Sequence, residues 1–143
     1  MGHIDLSRPR SDNAAVTPSF TEDWFGEASC DALAALARRV LHLPGEIIEI
    51  GSWEGRSTIA LARAVDPAIV RAVDTWAGSP SEISSELATQ RDVFAQFKDN
   101  ITAANVTNVL AHRMGWRDFL ADFDEPIRLV FVDAEHTYSE VHD

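Results

Sequence analysis

Four short apolar runs, separated by longer stretches with a helical period, constrain the fold of this chain more than any other feature. The runs are EIIEI (46–50), AIVRAVDTW (68–76), TNVLAHRM (107–114) and PIRLVFVDAEHTY (126–138). They are rich in β-branched residues and mostly apolar at both parities, which is typical of strands buried on both faces of a parallel sheet. Strands that alternate with helices predict an α/β fold, here a Rossmann-like, doubly wound, mainly parallel sheet with helices on both faces.

The stretches between the runs carry apolar residues at the 3.6-residue spacing of helices. Leu33 and Leu36 belong to a stripe over residues 29–42, for which Ser29 is the expected N-cap. Further helices are expected over 56–65, 93–101, 115–123 and 137–143. Residues 77–90 are polar, and we interpret them as a connector that either closes over a site or is passive.

The N-terminal residues predict an arm instead of a core element. Residues 1–20 are polar, contain two prolines and show no periodicity. Trp24 and Phe25 follow, and they either pack against the domain or form one lip of a substrate pocket. We therefore divide the chain into an N-terminal arm (1–26) and a Rossmann-like domain (27–143).

The composition narrows the class of partner. The chain has 143 residues, enough for one domain with its own core. Its formal net charge is −11 and it has no basic run, which argues against nucleic acid and against an anionic membrane surface. No apolar run approaches the roughly 18 residues of a membrane span. The single cysteine, Cys30, suits a reducing cytoplasm, where a small-molecule substrate is the expected partner.

Small or acidic residues follow the predicted strands, at the edge of a doubly wound sheet where ligands bind. Gly51 and Gly55 enclose the turn after the first run and leave room for a ligand near the backbone. The next helix would direct its free N–H groups towards the same place, which suits a carboxylate or a phosphate. Asp74 ends the second run, where an acid can accept hydrogen bonds from both ribose hydroxyls. Together these residues predict a nucleoside-bearing cofactor.

A dinucleotide cofactor is less well supported. The turn GSWEG (51–55) departs from the G-x-G-x-x-G fingerprint, because Trp53 occupies the position of the glycine that lets the backbone approach a pyrophosphate. An NAD(P)-dependent oxidoreductase is one alternative that this reasoning leaves open. The other is a catalytically inert domain that binds a cofactor or a protein partner.

Three motifs resemble a known family. IEIGSWEGRST (48–58), VDTWAGS (73–79) and FVDAEHTY (131–138) are similar to the class I S-adenosylmethionine-dependent methyltransferases. The resemblance covers residues 46–143 and is strongest to the branch that acts on sugars, macrolides and other small molecules, near the macrocin O-methyltransferase and cephalosporin hydroxylase groups. It implies methyl transfer from S-adenosyl-L-methionine to a hydroxyl of a small molecule or sugar.

The resemblance also implies which residues hold the cofactor. The methionine half would be surrounded by Glu49, Gly51, Ser52 and Gly55. Glu54 and Ser57, at the start of the next helix, would hydrogen-bond near it, and Trp53 of the same turn would also contact the cofactor. Asp74 would bind the ribose hydroxyls, with Thr75 and Trp76 beside it, and Trp76 would offer its ring face to the adenosine. Gly115 and Trp116 would line the adenine end.

On the acceptor side, the resemblance places Asp133 beneath the sulfonium and the incoming acceptor. His136 lies just past the same strand, where an imidazole is a candidate general base or ligand; it is alternatively a cap of the next helix. Asp133 is also a candidate ligand for a divalent metal such as Mg²⁺, which would need further oxygen ligands.

The last apolar run is expected to lie near a sheet edge with little cover. An exposed apolar edge favours unwanted association, and whole domains of the resembled type are appreciably longer. We therefore expect the chain to be incomplete at its C-terminus or to need a partner, and association into a homo-oligomer stays open.

Overall fold

The computed structural model of the chain describes residues 3–5 and 16–134, and this part contains five strands and five helices. The strands are β1 (Ile4–Asp5), β2 (Glu46–Ile50), β3 (Val70–Asp74), β4 (Val109–Arg113) and β5 (Ile127–Val132). The helices are α1 (Glu27–Arg39), α2 (Arg56–Val65), α3 (Ile83–Gln90), α4 (Val93–Ala103) and α5 (Trp116–Ala121). All four predicted strands are therefore present, with helices between them.

The strands form one sheet in the order β1-β4-β3-β2-β5. β4, β3, β2 and β5 are parallel, and only β1 is antiparallel, paired with β4. This arrangement confirms the doubly wound, Rossmann-like α/β fold. From β2 the chain builds the sheet first on one side and then, with β5, on the other. The crevice for a ligand is expected at that switch, outside the carboxyl ends of β2 and β5.

The core has two parts because successive residues of the central strand β2 point to opposite faces. Ile47 belongs to the larger part, which includes Leu61 of α2 and Phe97 of α4. Ile48 belongs to the smaller part, which includes Phe119 of α5. Helices therefore cover both faces of the sheet, as the pattern predicted.

The first helix begins earlier than its apolar pattern indicated. α1 starts at Glu27 with Gly26 as its N-cap and ends at Arg39, so the prediction that Ser29 caps it is wrong. Leu33 and Ala37 are its buried residues, whereas Leu36 is 54% exposed. The buried stripe is therefore narrower than the apolar stripe.

Two segments that were read as irregular contain regular structure. The connector 77–90 includes α3, which has no side-chain cap. Ser84 of this helix is buried, and its Oγ accepts a hydrogen bond from the N–H of Ser79 at 2.8 Å. Ile4–Asp5 forms β1 within the segment that was expected to be a loose arm. The division of the chain at residue 26 stays a prediction.

β5 ends the sheet on one side within the described residues, where it pairs with β2. Val130 and Val132 are 42% and 59% exposed, as expected for an apolar strand with little cover. Among the residues that the structure describes, no helix has the length and apolar character needed to cross a bilayer. The predicted helix over 137–143 lies outside the described residues.

Candidate active site

A cavity of about 490 Å³ opens at the carboxyl ends of the parallel strands. Most predicted site residues line it: Gly51, Ser52, Trp53, Glu54, Ser57, Asp74, Thr75, Gly115, Trp116 and Asp133. Three predicted residues do not: Glu49, Gly55 and Trp76. The fold thus brings the turns after β2, β3, β4 and β5 together around one space.

The turn after β2 needs glycine for reasons of packing. Gly51 has φ +89°, and a Cβ atom there would lie 2.0 Å from the carbonyl oxygen of Asp133. Gly55 has φ +90°, and its Cβ would lie 2.9 Å from the ring of Phe97. Protein atoms therefore occupy the space that a side chain would take at either position. Gly51 nevertheless lines the cavity, as expected of a glycine that lets a ligand approach the backbone, whereas Gly55 does not.

Between the two glycines, Trp53 adopts a left-handed backbone conformation with φ 46°. Such a conformation is unusual for a bulky residue and persists only where neighbouring contacts stabilise it. Two contacts do so here: the Trp53 N–H donates to Asp74 Oδ2 at 2.9 Å, and its carbonyl accepts the indole N–H of Trp76 at 2.7 Å. The turn is consequently tied to the end of β3.

Asp74 connects the turn to the next loop. Its Oδ1 accepts the N–H of Trp76 at 2.7 Å while its Oδ2 accepts that of Trp53. Burial raises the pKa of this carboxyl, although the main-chain N–H groups around it act in the opposite direction. The side chain is half-buried and lines the cavity, so the residue predicted to bind ribose is held in place there.

Trp76 cannot offer its ring face to a ligand in the cavity. The side chain is 3% exposed, and its ring packs on Phe94 and Phe97 with centroid distances of 4.5 and 4.8 Å. Its indole N–H supports the glycine turn through the carbonyl of Trp53. The prediction of stacking is therefore wrong, because the large ring contributes more by filling the core against α4.

Glu49 lies beneath the turn and is completely buried. It accepts hydrogen bonds from the hydroxyls of Ser57 and Thr58 on α2 and, at 2.8 Å, from that of Ser52. Burial raises its pKa to about 7, although the three hydroxyls lower it. Since Glu49 does not line the cavity, it connects β2, the turn and α2 from below.

The N-terminus of α2 faces the cavity without a side-chain cap. Its N-cap is Gly55, which has no side chain that could accept a hydrogen bond from the first turn. Ser57, in that turn, lines the cavity. Free N–H groups and the positive end of the helix dipole favour an anionic group there, such as a carboxylate.

A comparison with known families identifies the class of this chain. The profile of the family described as "Methyltransferase domain" matches residues 48–143. The chain belongs to this family. The resemblance to methyltransferases is thereby confirmed, and the branch that acts on sugars and macrolides stays a prediction.

Among solved structures, the methyltransferase chain is similar to one described as "Crystal structure of cofactor-bound Rv0187 from MTB". The two share 24% sequence identity with a TM-score of 0.59, which supports the fold. The match covers 84% of this chain and 48% of that chain, so the methyltransferase chain spans about half the length of that structure. No curated protein matches it.

The cavity has an outer wall that comes from the N-terminal part of the chain, of which the sequence indicated only Trp24 and Phe25. We call residues 19–25 the strap. Phe20, Glu22, Trp24 and Phe25 of the strap line the cavity, which supports the pocket-lip interpretation of Trp24 and Phe25. They also pack, since the ring of Trp24 lies 5.4 Å from that of Trp53 and the ring of Phe25 lies 5.5 Å from that of Phe131 on β5.

Arg91, between α3 and α4, joins the strap to the glycine turn of the methyltransferase. Its guanidinium donates to Glu22 of the strap at 2.5 and 2.6 Å and to Glu54 of the turn. Burial alone would lower its pKa, but the two carboxylates raise it overall. Nothing local in the sequence marks Arg91, because its partners lie 69 and 37 residues away.

The cavity has further lining residues beside the predicted ones. Met114, at the same strand end as the predicted Gly115, and Arg117 of α5 line it at its β4 side. The connector 77–90 contributes Gly78, Ser79, Pro80 and Glu82 ahead of α3 and Ser84 within it. This placement favours the interpretation in which the connector closes over the site, because its residues form part of the wall.

The part of the site after β5 is described only as far as residue 134. Asp133 is exposed and lines the cavity beside Ala134. His136, the candidate base, lies outside the described residues. No group of three or more His, Cys, Asp or Glu side chains within 3–5 and 16–134 is arranged to hold a metal ion. A metal role for Asp133 stays a prediction.

Proposed function

We propose that the chain is the cofactor-binding part of an S-adenosylmethionine-dependent methyltransferase, which methylates a hydroxyl of a small molecule or sugar. One observation supports this most: the glycine turn, Asp74 and Asp133 converge on one cavity at the switch point of a methyltransferase-family sheet. The identity of cofactor and acceptor is our inference from that site.

The residues around the cavity suit an adenosyl sulfonium. Its volume of about 490 Å³ lies within the ~300–1,000 Å³ of ordinary small-molecule pockets. Asp74 is held as an acceptor for ribose hydroxyls, and the uncapped N-terminus of α2 suits the carboxylate of the methionine half. Asp133 provides a negative charge for a cationic sulfur. Because the cofactor has no phosphate, the turn does not need a lysine.

The bound cofactor would supply an already activated methyl group, so the chain's own task is positioning. Correct alignment of two reactants lowers a barrier by roughly 7–11 kcal/mol. Asp74 and the α2 N-terminus would orient the donor, and Asp133 would border the place of transfer. The aromatic side chains of the strap that line the cavity, Phe20, Trp24 and Phe25, would exclude water.

Calorimetry with S-adenosylhomocysteine tests the cofactor assignment. We expect wild type to bind and Asp74→Ala to bind at least tenfold more weakly, about 1.4 kcal/mol. Asp74→Asn separates lost charge from lost volume, and Asp124→Ala, an exposed acid outside the cavity, is the matched control. NADH should not bind. Unchanged affinity in Asp74→Ala contradicts the ribose contact, and binding of NADH alone supports the oxidoreductase alternative.

Methyl transfer itself needs an acceptor assay. The protein is incubated with methyl-labelled S-adenosylmethionine and a panel of sugars, macrolides and other hydroxyl compounds. Label transferred to any hydroxyl supports the proposed reaction. Tight cofactor binding without transfer to any compound supports the inert-domain alternative instead.

A further inference from the structure

Arg91 holds together two acidic segments that would otherwise repel each other. One guanidinium nitrogen contacts Glu54 and, at 3.2 Å, the hydroxyl of Thr21, while the other contacts both carboxylate oxygens of Glu22. The guanidinium also lies 5.7 Å from the ring centroid of Trp53. One side chain therefore reaches the strap and the glycine turn at once.

The buried position of Glu54 explains why an arginine is needed. Glu54 is 3% exposed, and the free-energy cost of burying a charge is large unless that charge is paired and hydrogen-bonded. Its Oε2 accepts the N–H of Thr21 at 2.7 Å, and its Oε1 pairs with Arg91. Only the planar fork of arginine can satisfy two carboxylates in this geometry, because a lysine ammonium is a single point charge.

Other polar contacts hold the strap on either side of those made by Arg91. Ser19 exchanges two hydrogen bonds with the side chain of Asn100, at 2.8 and 2.9 Å. Further along, Asp23 is exposed and pairs with Arg56 at 3.1 Å, a type of contact that contributes little. The contacts of Arg91 lie between them, at the part of the strap that faces the turn.

The carboxylates that Arg91 holds belong to the wall of the cavity. Glu22, Trp53 and Glu54 line the cavity, whereas Arg91 does not. The indole N–H of Trp53 donates to Glu22 at 3.0 Å, so the turn and the strap also bind each other directly. Any displacement of the strap would open the outer wall of the cavity.

We propose that Arg91 is a positioning residue for cofactor binding: it holds the strap against the glycine turn and so preforms the outer wall of the cavity. The proposal rests on the proposed function for the identity of the ligand. It predicts that loss of the guanidinium mainly speeds dissociation of the ligand, because the wall closes over it.

The test combines ligand kinetics with amide exchange in the ligand-free protein. Dissociation of S-adenosylhomocysteine is measured by stopped flow and its affinity by calorimetry, and exchange of the Thr21 amide is followed by NMR. Arg91→Met should raise Kd at least tenfold, mainly through faster dissociation, and should remove the protection of the Thr21 amide. Arg91→Lys should give an intermediate result. Glu22→Gln should act in the same direction and less strongly.

Two controls separate positioning from loss of stability. Arg39→Met removes an exposed arginine from the end of α1, and Val65→Ala destabilises the core at the far end of α2. Both should keep the affinity and the Thr21 protection of wild type. If the Kd of Arg91→Met lies within twofold of the wild-type value, the role of Arg91 is overturned. If Arg91→Met does not fold, the same criterion applies to Glu22→Gln.

The outcome also separates this inference from the proposed function. If wild type binds the ligand and Arg91→Met binds it equally well, only the positioning role is overturned. No binding by wild type overturns the cofactor assignment, and the ligand role of Arg91 with it. Unchanged Thr21 protection in ligand-free Arg91→Met shows that Arg91 does not hold the strap, whatever the ligand is.

Discussion

The carbonyl oxygen of Asp133 lies only 2.0 Å from the place where a Cβ atom of residue 51 would be, so the two strand ends meet because that residue is Gly51. The N–H of Asp133 donates to the carbonyl of Ile50 at 2.8 Å, which extends the pairing of β5 with β2 to this point. The candidate site begins directly beside this contact. Its floor is therefore a backbone-to-backbone junction.

Gly51→Ala should consequently destabilise the protein. We expect the free energy of unfolding to fall by about 2 kcal/mol or more, since φ +89° is unfavourable for alanine and the colliding atoms are backbone. Urea unfolding followed by circular dichroism measures the loss. Gly26→Ala is the matched control, because no atom lies within 4 Å of its Cβ position. Equal stability of the two variants contradicts the packing reason for Gly51.

Glu49 should make the stability depend on pH between about 4.5 and 7. Its pKa rises from 4.5 to about 7 because burial outweighs the hydrogen bonds from Ser57, Thr58 and Ser52. In this window the folded protein keeps a proton that the unfolded chain releases, so the contribution to stability is lost as pH rises.

Glu49→Gln isolates that effect, because glutamine stays neutral. The free energy of unfolding of the variant minus that of wild type should increase with rising pH, by at most about 1.4 kcal/mol per pH unit. This difference should stop changing above about pH 7. Urea curves at several pH values give the difference. Asp74, whose pKa is also raised, contributes equally to the pH dependence of both proteins, so its effect cancels in the difference. A difference that is constant from pH 4.5 to 8 would mean that Glu49 ionises normally.

We expect Trp76 to contribute to the stability of the fold and not to stack on a ligand. Trp76→Phe keeps an aromatic ring but loses the hydrogen bond to Trp53 and part of the contact with Phe94. We expect the loss of about 1–3 kcal/mol in the free energy of unfolding. Trp24→Phe, at a position that is 55% exposed, should change stability little. A structural role for Trp76 is contradicted if Trp24→Phe lowers the Tm of thermal unfolding more than Trp76→Phe does.

Asn100 offers a test of the strap that does not involve Arg91. Its side-chain amide donates to the carbonyls of Ser19 and Glu54, both at 2.9 Å, and the residue is 2% exposed. Asn100→Asp puts an oxygen against those two carbonyls, so we expect a loss of about 2 kcal/mol. Amide exchange at Ser19 should speed up as well. Asn105→Asp, an exposed residue at φ 55°, should do neither.

Local pattern was sufficient for the parallel sheet. β2, β3, β4 and β5 were predicted because runs such as EIIEI are apolar at both parities, and this property depends on neighbours in the chain. Gly51, Asp74 and Asp133 were placed together for a similar reason, since the carboxyl ends of parallel strands share one edge. The match to the methyltransferase family agrees with that reading.

Contacts between distant segments were not predictable in this way. The strap and α3 carry no sustained apolar period, and Arg91 pairs with Glu22 across 69 residues. Trp76 stands in a motif of the family, yet its ring turns into the core against α4. The direction of a side chain depends on the space that other helices leave for it.

The amino-acid sequence by itself determined the four parallel strands, the helices between them other than α3, the family, and the edge of the sheet where the site lies, because hydrophobic periodicity and turn residues act over short stretches of chain. Only the tertiary structure decided what closes the cavity and which motif residues face it. Those outcomes depend on long-range ion pairs and on competition for core volume, for which the chain carries no local pattern.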